Sequence, residues 1–371
     1  MTVACFVSPH GFGHAARTCA ILSAVAARQP KLHALIFTRV PQWFFAESLA
    51  CSFEYVALDT DVGLAQLSAL AEDVPATLAR LEQLWPPRRA LLDALGQQMR
   101  AAQCRMVLCD IAPLGILAAR TAGLPSILVE NFTWDWIYDE YAGTAPRMGY
   151  FAASFASVFA QATQRIQTAP VCVPRPAVLT VQPVSRAPRA SRAATRRALG
   201  IAATTPLILL TNGGVETQLS FQHVLQERPA WHFVVPTSGI TRLHREKNCT
   251  LLPWQSDLYH PDIVRAADVV VGKLGYSTVA EVYHAGGALA YFTRPKFRES
   301  AALAAFVARA LPSVELPAAS FATGAWLEYL PALLAARAPR HARENGADAA
   351  AALLVARCLY QDPAMTTPQQ R

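Results

Sequence analysis

Short apolar runs alternate with longer alanine-rich stretches, and they do so in two series along the chain. The first series holds Thr2–Ser8 (TVACFVS), Lys31–Thr38, Arg105–Asp110 and Pro125–Glu130. Helical patterning lies between these runs, from Gly13 onward, over Ser68–Gln103 with a break near Pro86–Pro87, and over Ile111–Gly123. The second series holds Pro206–Thr211, Trp231–Val235, Cys249–Leu252, Ala267–Val271 and Leu289–Phe292, and closes with a helical stretch over Arg340–Tyr360. Strands that are apolar throughout are covered on both faces, and the helices between them supply the crossovers of parallel sheets. The pattern predicts an α/β chain of two Rossmann-like, doubly wound domains facing across a cleft. Such sheets take ligands beyond the C-terminal ends of their strands.

Composition fits that reading. Of 371 residues, 53% are hydrophobic and 16% charged, so enough apolar surface exists to offset the ordering entropy. The expected division is residues 1–175, a first Rossmann-like domain; 176–340, a second; and 341–371, a closing helix and tail packing back toward the first. The Pro- and Arg-rich segment Pro170–Arg197 reads as a solvated linker, although five of the twelve residues Arg186–Arg197 are Arg. The net charge of 33 − 26 = +7 suits an anionic partner. The arginines are scattered, so nucleic acid is not the expected ligand, while peripheral membrane contact stays open. No apolar stretch of about 20 residues and no basic-then-apolar leader is present, which points to a cytoplasmic protein. Eight cysteines form no CxxC pair, so neither a metal site nor a cofactor is expected.

Three strand-to-helix junctions carry the residues suited to chemistry. In Ser8-Pro9-His10-Gly11-Phe12-Gly13-His14, Gly11 and Gly13 let the backbone approach a ligand, and the helix that follows offers N–H groups to negative charge. His14 suits a general base or a structural helix-end histidine equally. In Thr211-Asn212-Gly213-Gly214 a Gly-rich turn suits a phosphate or a tight turn alone. In Val271–Glu281 the groups Lys273, Gly275, Tyr276, Ser277 and Thr278 supply a cation, glycines and hydroxyls to a pyrophosphate, and Glu281 suits a ribose. A further segment, Asn131–Tyr138, follows a strand. Its Asn131, Trp134 and Asp135 suit an acceptor sugar or lipid, or else the segment packs as a loop on the core.

The segments HGFGHAAR (His10–Arg17), CDIAPLG (Cys109–Gly115), ENFTWDWIYDEY (Glu130–Tyr141), LYHPDIVRAADVVVGKLGYSTVAE (Leu258–Glu281) and RPKFRES (Arg294–Ser300) together resemble the GT-B nucleotide-sugar glycosyltransferases. The peptidoglycan N-acetylglucosaminyltransferase and the plant UDP-glycosyltransferases are two branches of that family. The resemblance is strongest to the glycosyltransferase-like N-terminal half of plant L-arabinokinase and its stand-alone bacterial relatives. It implies a GT-B fold and transfer of a sugar from a nucleotide-diphosphate sugar, UDP favoured, to an acceptor that stays unnamed. By resemblance His14 is the base that deprotonates the acceptor and Asp110 the acid that orients it. Asn212, Gly213 and Gly214 lie by the donor phosphates, as do Lys273 and Thr278. Glu281 accepts from the ribose and Glu299 holds donor-sugar hydroxyls. Two positions depart from the family. Ser300 stands where a Gln holds the sugar, and the base-stacking tryptophan motif is only partly echoed by Trp254 and Gln255. Arabinokinase activity is not implied, because the length leaves no room for a kinase domain. A non-hydrolysing nucleotide-sugar epimerase of the same fold and a nucleotide-sugar-binding protein without turnover are the competing readings.

Overall fold

The computed structural model describes residues 1–68, 71–211, 222–336 and 342–359. Its strands are β1 (Thr2–Val7), β2 (His33–Thr38), β3 (Ser52–Ala57), β4 (Ala65–Ser68), β5 (Ala71–Asp73), β6 (Cys104–Asp110), β7 (Ser126–Glu130), β8 (Gln164–Thr168), β9 (Leu179–Val181), β10 (Leu207–Thr211), β11 (His232–Thr237), β12 (His244–Glu246), β13 (Cys249–Pro253), β14 (Val269–Lys273), β15 (Ala288–Phe292) and β16 (Ser313–Glu315). The first sheet has the order β3-β2-β1-β6-β7-β8-β9 and is parallel throughout. The second has the order β12-β13-β11-β10-β14-β15-β16, parallel except for the short β12 against β13. Strand order reverses between β1 and β6 in one sheet and between β10 and β14 in the other. Crevices open at such reversals, because successive crossovers leave in opposite directions.

Burial on both faces follows the strand alternation. Ala4, Phe6, Leu35, Phe37, Val107 and Cys109 face one core, shared with the helix Pro113–Ala122. Val3, Cys5, Val7, Ala34, Ile36, Met106 and Leu108 face the other, shared with the helix Gly13–Arg28. The helix Gly346–Leu359 also joins this second core. Its Ala347, Ala350, Ala351, Leu354 and Cys358 recur at helical spacing and pack with Ile21, Leu22 and Val25.

Two expectations are corrected. Ser68–Gln103 is not one broken helix: the antiparallel pair β4–β5 precedes the helices Val74–Leu84 and Arg89–Ala101. Asp73 sets the start of the first, its carboxylate accepting from the Ala76 N–H at 2.9 Å. Nor is Pro170–Arg197 a solvated linker. It contains β9, and Arg186 and Arg196 are 7% and 3% exposed. Their charges are met by carboxylates on the second domain, Arg186 by Glu281 at 3.1 Å and Arg196 by Asp268 at 3.5 Å. Among the described residues no helix is long and apolar enough to cross a membrane.

Candidate active site

The chain leaves β1 through a turn in which Gly11 has φ 74°, a left-handed backbone that glycine adopts without a Cβ clash. His14 then lies in the first turn of the helix Gly13–Arg28. Across the strand-order reversal, β6 ends on Asp110, and the next residue, Ile111, has φ 43°. A β-branched residue in that region is strained, and such strain is held where the surrounding structure fixes it. The outcome is a His14 Nδ1 to Asp110 Oδ1 contact of 2.8 Å. A carboxylate only accepts, so this contact puts the imidazole proton on Nδ1 and leaves Nε2 with its lone pair.

Arg17, one turn along the same helix, grips Asp110 from the other side. Its Nε donates to Oδ2 at 2.8 Å and its Nη2 to Oδ1 at 2.6 Å. Thr18 adds a hydroxyl to Oδ2 at 3.3 Å. Burial alone would push the Asp110 carboxyl up, but the Arg17 guanidinium and the His14 contact hold it below the ordinary carboxylate value. Arg17 Nη1 also donates to Asn131 Oδ1 at 2.8 Å. Asn131 in turn donates from Nδ2 to Glu299 Oε1 at 2.8 Å, a bond that crosses from β7's end to the second domain. One chain of hydrogen bonds thus joins the His14 dyad to the helix Glu299–Ala310.

The second domain brings another helix start to the same place. Helix Tyr276–Ala285 follows β14, and a Cβ on Gly13 would stand 3.4 Å from Ser277 Oγ. Two helix N-termini therefore converge, each presenting free N–H groups and a positive dipole end. Ser277 and Thr278 border two compartments of the cleft. The outer one, an open space of about 830 Å³, is walled by Phe12, Trp43, Phe44 and Trp254 and reaches Glu281. Phe12 and Trp254 meet edge to face at 5.8 Å across the domains. The inner one is bordered by His10, His14, Lys273, Arg294, Phe297 and Glu299.

Glu281 is already engaged, with Arg186 Nη2 and His260 Nδ1 each at 3.1 Å. Burial would raise its carboxyl, but those two neighbours hold it below the ordinary value. Lys273 is half-buried. Loss of water and the nearby Arg294 push its ammonium down to about 7, against the pull of Glu299 and Glu72. Tyr276 packs inward, under Arg17, and its hydroxyl accepts from the Val184 N–H at 3.1 Å.

Of the residues picked out in the sequence, the cleft gathers Gly11, Gly13, His14, Lys273, Gly275, Tyr276, Ser277, Thr278 and Glu299 around the inner compartment, with Asp110 and Asn131 behind them. Glu281 lies by the outer one. Asn212, Gly213 and Gly214 fall outside the described residues. Trp134 and Asp135 are corrections to the acceptor-side set. Trp134 is fully buried, stacked on Tyr138, so neither ring face is free for a sugar. Asp135 is turned to Arg175 at 3.1 Å. Sequence reading did not single out Arg17, Arg186, His260 or Arg294. The local signal for Arg17 was its place one helical turn after His14. The other three depend on contacts from distant segments.

Comparison with known proteins places this geometry. No family model matches the chain. It is 28% identical over 364 residues to L-arabinokinase of Arabidopsis thaliana, covering 95% of this chain and 34% of that protein, so the chain spans about a third of its curated relative. Among solved structures it is similar to Arabidopsis thaliana UGT89C1 in complex with UDP, with a TM-score of 0.61 and 13% identity over 96% of this chain and 99% of that one. It is also similar to the glycosyltransferase VinC in complex with dTDP, with a TM-score of 0.60 and 14% identity over 97% and 96%. MurG of Acinetobacter baumannii follows with a TM-score of 0.53 and 16% identity over 96% and 99%. The two domains, their facing crevices and these likenesses give the chain a GT-B fold, and in sequence it is similar to about a third of L-arabinokinase.

Proposed function

We propose that the chain is an inverting glycosyltransferase that moves a sugar from a nucleoside diphosphate sugar, with UDP the favoured nucleotide, to an acceptor hydroxyl. The observation that carries this reading is the His14–Asp110 contact at one strand-order reversal, set against the helix N-terminus that follows β14 at the other. The nucleoside lies in the aromatic outer compartment, where Glu281 accepts from ribose hydroxyls. The diphosphate lies at Ser277 and Thr278, between the convergent helix N-termini, with Lys273 as counter-charge. Binding an anion there raises the Lys273 proton affinity, so the ammonium is restored when the donor is seated. The sugar then occupies the inner compartment beside Glu299.

The acceptor oxygen attacks the anomeric carbon as its proton passes to His14 Nε2. Asp110 keeps the proton on Nδ1, so Nε2 is the atom that accepts. The bond from the anomeric carbon to the diphosphate oxygen breaks, and the leaving charge is met by N–H groups, hydroxyls and Lys273. Attack opposite the leaving group inverts the anomeric centre. Residues 1–175 serve the acceptor in this reading, 176–340 the donor, and the final helix ties the two by returning to the first core.

Incubation with a panel of nucleotide sugars and hydroxyl acceptors, followed by separation of the products, tests the reading. It expects free nucleoside diphosphate and a glycosylated acceptor of inverted configuration. An epimerised donor, or binding with no turnover of any donor, would instead establish one of the competing activities of the fold.

A further inference from the structure

The inner compartment holds two cations without hydrogen-bonded acids. Arg294 follows β15, is 3% exposed, and has its guanidinium lying 3.4 Å over the Phe297 ring. Its Nε and Nη1 are buried without a hydrogen-bond partner among the described residues. The nearest carboxylate, Glu72 of β5, stands 3.7 Å from Nη1, an ion pair too long for a hydrogen bond. Lys273 borders the same compartment and lies close enough to Arg294 for that guanidinium to disfavour its ammonium; no carboxylate among the described residues lies within ion-pair distance of it. Glu299 is the stronger attraction on the Arg294 charge, ahead of Glu72, and its Oε1 accepts from Asn131. His10 adds a half-buried ring whose Nε2 is buried with no hydrogen-bond partner among the described residues, and burial and these two cations push its pKa down. A buried guanidinium with unmet donors beside a second cation costs stability unless an anion completes it.

We infer that the inner compartment recognises a carboxylate on the sugar, so that the donor carries an acidic sugar of the uronic type. The inference rests on the proposed donor placement. Ser277 and Thr278 border both compartments, whereas Arg294, Phe297 and Glu299 border the inner one alone. An anion met by Arg294 therefore lies beyond the diphosphate, where the sugar sits. A planar guanidinium with open N–H groups matches a carboxylate in bidentate fashion, and Lys273 adds charge without geometry. Phe297 fixes the guanidinium plane from below, and Glu299 remains for hydroxyls. The Ser300 that replaces the expected Gln has its hydroxyl accepting from the Arg294 N–H at 3.3 Å, so that side chain holds the arginine loop.

Calorimetry with the whole chain separates the outcomes, using UDP, UDP-glucose and UDP-glucuronic acid. The expected result is UDP-glucuronic acid bound about tenfold or more tighter than UDP-glucose, the scale of one charge-assisted pair. Arg294→Gln should erase that preference and leave the affinity for UDP unchanged. Equal affinity of the wild-type chain for the two sugars overturns the inference while leaving the nucleotide site intact. Loss of UDP affinity in Arg294→Gln also overturns it, because the arginine would then hold the diphosphate. If UDP itself does not bind, the donor placement beneath the inference fails first. The wild-type comparison decides the matter even where the variant does not fold.

Discussion

His14, Asp110 and Arg17 form a unit whose charges are assigned by geometry. Arg17 is 1% exposed and, among the described residues, Asp110 is the one carboxylate within ion-pair distance, so the two neutralise each other out of water. Asp110→Asn leaves the guanidinium without that carboxylate, and removing one partner of a buried pair costs about 3–5 kcal/mol. Urea unfolding should show a loss on that scale, and a change under about 1 kcal/mol would mean that Arg17 finds another partner or water. Lys273 gives a pH signature. Its folded value is about 7, whereas an unfolded lysine titrates near about 10.4. Between those values the unfolded chain holds more protons, so the stability of the ligand-free protein rises with pH across that window. Lys273→Met removes the titration. Unfolding free energies taken from about pH 7 to about pH 9 should climb for the wild-type chain relative to this variant; parallel curves would mean the ammonium is well hydrated. His14 was legible at its junction as either a base or a structural histidine, whereas Asp110 was legible only through the resemblance, because its contact with His14 joins positions 96 apart. Trp134 was left between a sugar face and core packing because a strand-end aromatic gives no sign of which way its ring turns, and here it turns into the core.

Among the elements, the long buried strands were the most readable. Val269–Val271 and Val3–Val7 are apolar throughout, and they lie within β14 and β1. Edge strands were missed. β3 (SFEYVA) is only partly buried, and β9 and β16 have three residues each, too few for a pattern. The arginine-rich segment was misread for a different reason. Composition cannot distinguish a solvated arginine from one whose carboxylate lies far along the chain. Arg186 donates to Ser48 Oγ at 3.0 Å on the first domain and to Glu281 at 3.1 Å on the second, and its guanidinium lies over Phe44 at 4.6 Å. It is therefore a clasp between domains as well as the partner that keeps Glu281 ionised. Arg186→Met should cost about 3–5 kcal/mol of stability. Combined with Glu281→Gln it should cost less than the sum of the two single changes, since the pair is lost only once. Additive losses in denaturant unfolding would mean that the two side chains act independently.

At the scale of the whole molecule, the two strand-order reversals face each other across both polar and aromatic contacts, with Phe12 meeting Trp254 and Phe297 packing on Phe132. The Asn131–Glu299 bond, the Arg186 clasp, the Arg298 ion pairs with Asp139 and Glu140, the seating of Phe297 in the first core and the returning helix Gly346–Leu359 join the two domains. Domains joined this way hinge around a ligand. Small-angle scattering should show compaction on saturation with UDP, and an unchanged radius of gyration would indicate a pair already closed. The GT-B architecture was readable from the two series of strands together with the matching segments. The mutual approach of the helices at Gly13 and Tyr276 was not, because it depends on how the domains face. The central claim is that His14 on one domain is the base for a donor held on the other. The most direct measurement compares donor turnover and UDP affinity in the wild-type chain and in His14→Ala. The account predicts turnover reduced about 10²–10⁴-fold, the usual share of general acid–base catalysis, with UDP affinity unchanged. Wild-type turnover in His14→Ala, or UDP affinity lost together with turnover, would contradict it.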